Sequence, residues 1–434
     1  MKKQRKGDGI LETKTVAALL IIVFLAGVGV GWFIPRPAPT VAIVFNSTQL
    51  RPAAETEWVI KTLLPPFEEE TGIKVTFVPE EYGIFEDRLI AEVESGKVRV
   101  SVSGGLHGDF SLLIERGYLE DLSGIELPDR TFIETFWNLG KHEGKQVYVP
   151  WMQATYIFVA NKKALDYLPE GADINALTYD QLLQWVRNIY EQTGEKKFGL
   201  PVGEGGLLHR FVHGYLYPSF TGKTVAKFNS PEAVTMWEYM KELWEYVNPE
   251  CINWKSMADP LLTEDVWVAW DHTARFKEAV TTKPDDFVVF PSPAGPEGRG
   301  FITVIAGLAI PKGAAHMDAA KKLIEYLTRP ETQVEIVEGV GFFPVVEEAV
   351  GTIPAGPLKT IADGVVKQSS APDVIVAMLP TGLGGKAGEF SAIYRDTFIR
   401  ILLNEEPIQE VLNDQWAKLE ALYTETGAPY PAPG

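Results

Sequence analysis

The chain has a single cysteine, Cys251, in 434 residues. That excludes an intramolecular disulfide and any zinc site built from several cysteines. It also removes the lipid anchor that requires a cysteine directly after an apolar leader. Positive charge is short as well: 40 Lys and Arg stand against 58 Asp and Glu, a formal net charge of -18. The first forty residues hold six Lys/Arg against Asp8 and Glu12, a local +4 that leaves -22 for the rest. So acidic a body speaks against a nucleic-acid partner, because phosphate backbones are held by clustered Lys and Arg.

Catalytic signatures are missing too. Gly382-Leu-Gly-Gly-Lys386 looks like the end of a phosphate-binding loop, but Pro380 replaces its first glycine and Ala387 its Ser/Thr. Gly295 to Gly300 has the wrong glycine spacing for a dinucleotide site. No G-x-S-x-G elbow occurs. Acidic residues are so numerous that a glycosidase-like carboxylate pair carries no information. His209 and His213 are four apart but lack the Glu of H-E-x-x-H, and they read as exposed helical histidines. They are the sole support for an alternative in which the chain binds a metal chelate or other small anion. No enzyme activity, cofactor or metal is expected, and no long internal repeat or low-complexity tract occurs.

Only one long apolar run is present. Lys2, Lys3, Arg5 and Lys6 precede Val16 to Ile34. At roughly 1.5 Å per residue this run nearly spans a ~30 Å hydrocarbon core. Residues 1–15 then read as a cytoplasmic basic leader and 16–34 as a transmembrane helix, with the body outside. Trp32 and Phe33 stand where an interfacial aromatic belt belongs. The absence of an A-x-A site favours an anchor over a cleaved peptide. Lys6-Gly-Asp-Gly-Ile-Leu-Glu12 resembles a type IV prepilin-like (class III) leader of the kind archaeal surface binding proteins use. There, cleavage follows a glycine, here Gly7, and a glutamate lies fifth after the cut, here Glu12. An uncleaved anchor with a chance Gly and Glu is the other reading. Residues 35–40 form a proline-rich linker. Its prolines would stop the apolar helix from running into a globular head, which favours a tether over a pilin-like structural subunit.

From Val41 the pattern is strand (Val41–Phe45), helix (Trp58–Glu70), strand (Ile73–Val78), helix (Phe85–Glu94), strand (Val98–Val102), with Gly72 and Gly96 as helix stops. That alternation predicts a parallel α/β unit. Ligands of such sheets sit at the carboxyl ends of strands. After the last strand comes Ser103-Gly-Gly, and the rule picks out Asn46 to Thr48, Glu81-Tyr82 and Leu106 to Asp109. Val147 to Asn161 reads as a buried strand carrying the chain from one lobe to a second, with Trp151, Gln153 and Tyr156 where the lobes face each other. Beyond it, Thr178-Tyr-Asp-Gln181 is a capping box. Ser230-Pro231 starts a helix whose Trp237, Met240, Trp244 and Val247 recur at core spacing. Val266–Trp270 and Phe287–Phe290 read as strands, and the turn-rich Pro291 to Gly300 suits a second crossing.

Several blocks in this order resemble the extracellular solute-binding proteins of carbohydrate ABC importers, the branch that contains maltose-binding protein. They are Phe67-Glu-Glu-Glu-Thr-Gly-Ile-Lys-Val75, Leu106-His-Gly-Asp109 with Glu115 to Leu122, and Asn161-Lys-Lys-Ala-Leu165 with Leu177 to Leu182. Gly307 to Gly313, Ala319 to Leu327 and Gly341-Phe-Phe-Pro344 complete the set. One departure is Gly96-Lys-Val-Arg-Val-Ser101, which lacks the family's Pro-Asp-Val. The resemblance implies a periplasmic-binding-protein-like α/β fold of two lobes joined by crossing hinge strands. Residues 41–149 and about 300–345 would form lobe 1, and 150–299 and about 346–434 lobe 2. It implies a monomer that clamps a sugar and hands it to an ABC permease at the cell surface. Carried over by position, Ser47, Thr48, Glu81, His107 and Asp109 come from the near lobe, and Trp151 and Gln153 from the crossing. Glu204, Trp270, Asp271, His272 and Arg275 come from the far lobe. Phe342, Glu389 and Tyr394 come from the return segments. Trp254 is a further stacking candidate from its polar surroundings. His107 and Asp271 have capping alternatives, Trp151 a hinge-packing one and Tyr394 a helix-core one.

Overall fold

A computed structural model describes residues 41–383 and 386–433. The leader, the apolar run, the linker, Gly7 and Glu12, and Gly384-Gly385 therefore lie outside the described residues. Among the described residues, no helix is long and apolar enough to cross a membrane.

The molecule is an α/β structure on a mixed sheet. Its strands are β1 (Ala42–Ser47), β2 (Lys74–Pro79), β3 (Val100–Leu106), the short pair β4 (Lys141–His142) and β5 (Lys145–Gln146), and β6 (Val149–Asn161). Then follow β7 (Phe198–Gly199), β8 (Val268–His272), β9 (Phe287–Phe290), β10 (Arg299–Ala309) and β11 (Val374–Ala377). The main order is β2-β1-β3-β10-β6-β8-β7, with β11 on β10 and β9 on β6. β2-β1-β3 pair in parallel, as the strand–helix alternation predicts. The helices between them stop where expected, at Gly72 and Gly96, both in the left-handed conformation that glycine adopts without a Cβ penalty.

Two long strands run through the whole body. All 13 residues of β6 are buried, which explains its unbroken apolar run. Its first half pairs antiparallel with the second half of β10, from Thr155↔Thr303 to Val149↔Leu308. Its second half pairs with β8 and β9 instead. The side chains change core along the way. Trp151 and Met152 pack with Phe45, Val102, Leu308 and Leu323. Tyr156 and Phe158 pack with Trp185, Phe211, Trp237 and Trp270. The change falls between Met152 and Tyr156. There, Gln153 Nε2 donates to the Pro344 carbonyl (2.8 Å), Thr155 Oγ1 to the Ile302 carbonyl (2.6 Å), and Gln368 Nε2 to the Tyr156 carbonyl (3.0 Å). Four chain segments thus meet at one waist, β6, β10, the Pro344 segment and the helix Pro357–Ser369.

Two local expectations need correction. The strand expected to end at Val102 runs on: β3 continues to Leu106 because Gly104 and Gly105 pair with Leu308 and Gly307 of β10. β8 likewise continues through Asp271 and His272, which pair with Ile157 and Tyr156. The capping box forms as read, with Thr178 Oγ1 accepting from Gln181 N (3.2 Å) and Gln181 Oε1 from Thr178 N (3.0 Å). Trp237, Met240 and Val247 are core, as their spacing implies.

Candidate functional site

A cavity of about 380 Å³ opens beside the waist. One wall is Tyr82 with the turn Leu106–Asp109, at the carboxyl end of β3. The floor is Thr303–Ile305 of β10. The opposite wall is the segment Met378–Leu383 with Ala387, which follows β11. The two walls touch: a Cβ placed on Gly108 would lie 2.5 Å from Thr381 Cγ2. Glycine is needed there for close approach.

The near wall is built by short-range polar bonds. Asp109 Oδ2 accepts from Thr48 Oγ1 (2.6 Å) and from Leu106 N (2.8 Å), which folds the turn back on β3. Burial pushes the Asp109 carboxyl up, while those two bonds oppose it. His107 Nδ1 lies 2.6 Å from the Tyr148 hydroxyl, and burial lowers its pKa to about 4. Neutral at ordinary pH, His107 can offer one ring nitrogen to Tyr148 and the other to a ligand. Ser47 Oγ, behind the turn, accepts from Gln49 N (2.9 Å). Glu81 is exposed at the rim and paired with Arg51. The Tyr82 ring is 45 % exposed and its hydroxyl donates to Glu86 (2.7 Å). Tyr82 is therefore a flat apolar face at the cavity mouth.

The structure distributes the other candidates more widely. Trp151 is fully buried, edge-on to Phe45 at 5.5 Å, and presents no ring surface to solvent. Gln153 is buried at the waist. Trp270 is fully buried and stacks on Tyr156 at 5.3 Å. Tyr394 is fully buried and its hydroxyl donates to the Thr224 carbonyl (2.7 Å). These three aromatics stand in core packing, because strand pairing and helix spacing turn them inward. Phe342 is half-buried beside the waist, and Glu389 is exposed near the start of the helix Ala387–Phe398.

The remaining candidates gather at the carboxyl ends of β7 and β8, which run in parallel. Asp271 is fully buried. Its Oδ1 accepts from His272 N (2.7 Å) and its Oδ2 from Met257 N (2.9 Å). Burial outweighs those bonds and pushes its pKa up to about 7. His272 caps the helix Thr273–Thr282 through Nδ1, which accepts from Ala274 N (3.2 Å), and burial lowers its pKa to about 4. Arg275, Glu204 and the half-buried Trp254 border the loop that follows β7.

His209 and His213 are not exposed, contrary to the sequence reading. His209 is 8 % exposed and His213 not at all; His213 lies edge-on to Phe390 (4.9 Å) and Tyr394 (5.4 Å). Their stretch contains a turn of π-helix, Val212–Leu216, which packs against β10. No group of three or more His, Cys, Asp or Glu positioned to hold a metal occurs among the described residues.

Sequence reasoning did not single out Thr303–Ile305 or Met378–Leu383 as lining residues. Tyr82 was within its reach through the strand-end rule. The β10 residues, Thr303-Val-Ile305, read as interior strand, and Met378–Leu383 owes its place to β11 joining β10 from a distance in sequence.

The chain's residues 47–334 match the family described as bacterial extracellular solute-binding protein. Among solved structures, the sugar-binding protein MalE of Xanthomonas citri superposes with a TM-score of 0.69 at 15% identity, over 89% of this chain and 98% of that one. The cyclic alpha-maltosyl-1,6-maltose binding protein of Arthrobacter globiformis gives 0.63 at 16%, over 88% and 99%. UgpB of Mycobacterium tuberculosis, in complex with glycerophosphocholine, gives 0.60 at 16%, over 89% and 99%. These likenesses establish the fold, which is periplasmic-binding-protein-like. No curated protein sequence matches the chain. The chain belongs to the bacterial extracellular solute-binding protein family, and its family and fold are those of substrate-binding proteins.

Proposed function

We propose that this member of the extracellular solute-binding family captures a sugar between two lobes and delivers it to the permease of an ABC importer, without doing chemistry on it. The lobes are residues 41–149 with about 300–345, and 150–299 with about 346–434. The observation that carries this reading is the cavity beside the waist, walled by the Leu106–Asp109 turn on one side and Met378–Leu383 on the other. A ligand there would touch both lobes at once and favour the closed arrangement by its differential affinity. The hinge would be the three segments Met152–Tyr156 of β6, Ile302–Thr303 of β10 and Phe343–Pro344, which bridges to Gln153, where the packing passes from one core to another. His107, Asp109 and Tyr82 would read hydroxyls and a pyranose face. Two of the superposing proteins are named for sugars, which supports the substrate class.

Residues 1–40 would tether a monomeric body to the outer face of the cytoplasmic membrane, by the apolar run Val16–Ile34 and its basic flank. A class III leader cut after Gly7 fits the same segment. The test is thermal unfolding of the full chain in detergent with neutral and acidic mono- and disaccharides. Binding to the folded state alone adds about 4 kcal/mol at a thousandfold excess over Kd. Stabilisation by a saccharide is the expected result. Failure of every saccharide, neutral or acidic, to stabilise the protein overturns the receptor reading.

A further inference from the structure

The loop after β7 carries an arrangement that a neutral sugar does not call for. Gly203 and Gly206 hold it in a tight fold. A Cβ on Gly206 would lie 2.1 Å from the Pro201 carbonyl oxygen, and one on Gly203 would lie 2.7 Å from the Asn253 carbonyl carbon. Two arginines from different helices grip consecutive carbonyls of this loop. Arg275 Nη1 donates to Gly205 O (3.1 Å) and Lys255 O (2.6 Å), and Arg395 Nη2 donates to Gly206 O (2.9 Å). A third, Arg210, follows the loop directly. It is mostly buried beside the Tyr156 hydroxyl, and its Nη1 has no hydrogen-bond partner. Neighbouring His209 has an unpartnered Nδ1, and its pKa falls to about 3 through burial and the charges of all three arginines.

Among the described residues, none of these arginines has a carboxylate within ion-pair distance. The nearby acids are poor partners. Asp271 has both oxygens occupied by backbone N–H groups, and Glu204 is exposed. Each guanidinium has five N–H donors, so loop-gripping leaves most of them free. Crowding three positive groups at a half-buried site is unfavourable unless something negative joins them. The site also lies at the carboxyl ends of β7 and β8, beside the start of the helix Thr273–Thr282. The overall negative charge does not forbid an anion here, because charges beyond about 8 Å are largely screened at physiological salt.

Building on the saccharide-receptor reading, we infer that the site at the carboxyl ends of β7 and β8 takes an acidic saccharide, with Arg210, Arg275 and Arg395 holding its carboxylate, phosphate or sulfate group. Planar guanidinium forks match such oxyanions in paired hydrogen bonds.

The test is titration calorimetry on the full chain in detergent. Glucose, maltose and cellobiose are compared with glucuronate, digalacturonate, glucose 1-phosphate, a sulfated disaccharide and inorganic phosphate. At least one acidic saccharide should bind at least about tenfold tighter than every neutral one, and its affinity should fall with added salt. Arg210→Gln and Arg395→Gln should each weaken it at least about tenfold, and Arg395→Lys should rescue only part, because the fork is lost. Unliganded melting temperatures show which variants are folded. If Arg210→Gln does not fold, Arg395→Gln and the salt dependence decide. Acidic sugars binding no tighter than neutral ones would overturn the inference and leave the receptor reading standing. So would acidic-sugar affinity unmoved by the arginine variants. Inorganic phosphate binding as tightly as glucose 1-phosphate would overturn the saccharide class. Binding by no probe at all would overturn both readings. The carboxylate, phosphate and sulfate arms identify which oxyanion the site takes.

Discussion

His213 makes the stability of this protein steeply dependent on acid. Its ring is fully buried between Phe390 and Tyr394, with both nitrogens unpartnered. Burial first, then the charges of Arg210 and His209, hold its pKa well below 6.5. In the unfolded chain the same group titrates near 6.5. Below that pH the unfolded state binds a proton that the native state refuses, so stability falls as pH falls. Taking the unfolded chain from about pH 7.5 to about pH 5, this one group removes about 2 kcal/mol. His107, His209 and His272, with native pKa values of about 4, about 3 and about 4, act with the same sign. Together the four remove about 8 kcal/mol over that interval. Asp271 works against them. Its native pKa of about 7 means the folded state takes up a proton first, which restores about 2.5 kcal/mol on the way down. The difference over these five groups, about 5.5 kcal/mol, is comparable with the whole stability of many domains.

The perturbation is His213→Leu, which removes the titrating ring and fills most of its space. Urea unfolding would be followed for both proteins at several pH values between about 7.5 and 5. The variant should gain about 2 kcal/mol on the wild type between the two ends of that range. At neutral pH it should already equal or exceed the wild type, because two unpaired polar atoms leave the core. If the stability difference between the proteins does not change with pH, His213 is not held neutral by burial and the reasoning fails.

Three further outcomes follow from the geometry. Gly108→Val places side-chain atoms where Thr381 stands, so it should prop the two walls apart. Affinity for the cognate sugar should drop at least about tenfold, and small-angle scattering with ligand should show a more open body; unchanged affinity and scattering would refute the contact. Asp109→Ala removes two acceptor bonds, to Thr48 and Leu106. It should cost about 1–3 kcal/mol in urea unfolding and weaken sugar binding, whereas Thr48→Val should reproduce only part of the loss. Trp151→Ala should lose about 3–5 kcal/mol of stability, as a fully buried ring does. Trp151→Phe should leave sugar affinity nearly unchanged; a selective loss of affinity in Trp151→Phe would place the indole in contact with ligand.

Much of the fold was legible because each local signal agreed with the next. Gly72 and Gly96 end helices, Thr178 and Gln181 cap one, and the apolar run Val149–Asn161 is buried throughout. These are short-range facts, and sequence carries short-range facts well. The errors came where long-range pairing decides. Gly104 and Gly105 look like loop residues until β10 supplies hydrogen-bond partners for them. His209 and His213 look exposed on an isolated helix, but both are buried, and His213 is covered by Phe390 and Tyr394, more than 150 positions away. Helical spacing cannot reveal which face a distant element will cover.

The candidate site was harder to read for the same reason, with one difference that bears on function. Asp109 and His107 stand at a strand end, where the topology rule alone could find them. Arg210, Arg275 and Arg395 stand on three helices, and only the Gly203–Gly206 loop brings them together. Sequence reasoning found one of the three, Arg275, as a position carried over from the family resemblance. The charge count of -18 speaks against a nucleic-acid partner without fixing the sign of any one site. That inference averages over the whole surface, while recognition depends on charges within a few ångströms of the ligand. A strongly acidic protein can therefore keep a locally cationic site, and the pattern around the Gly203–Gly206 loop counts for more than the sum over the chain.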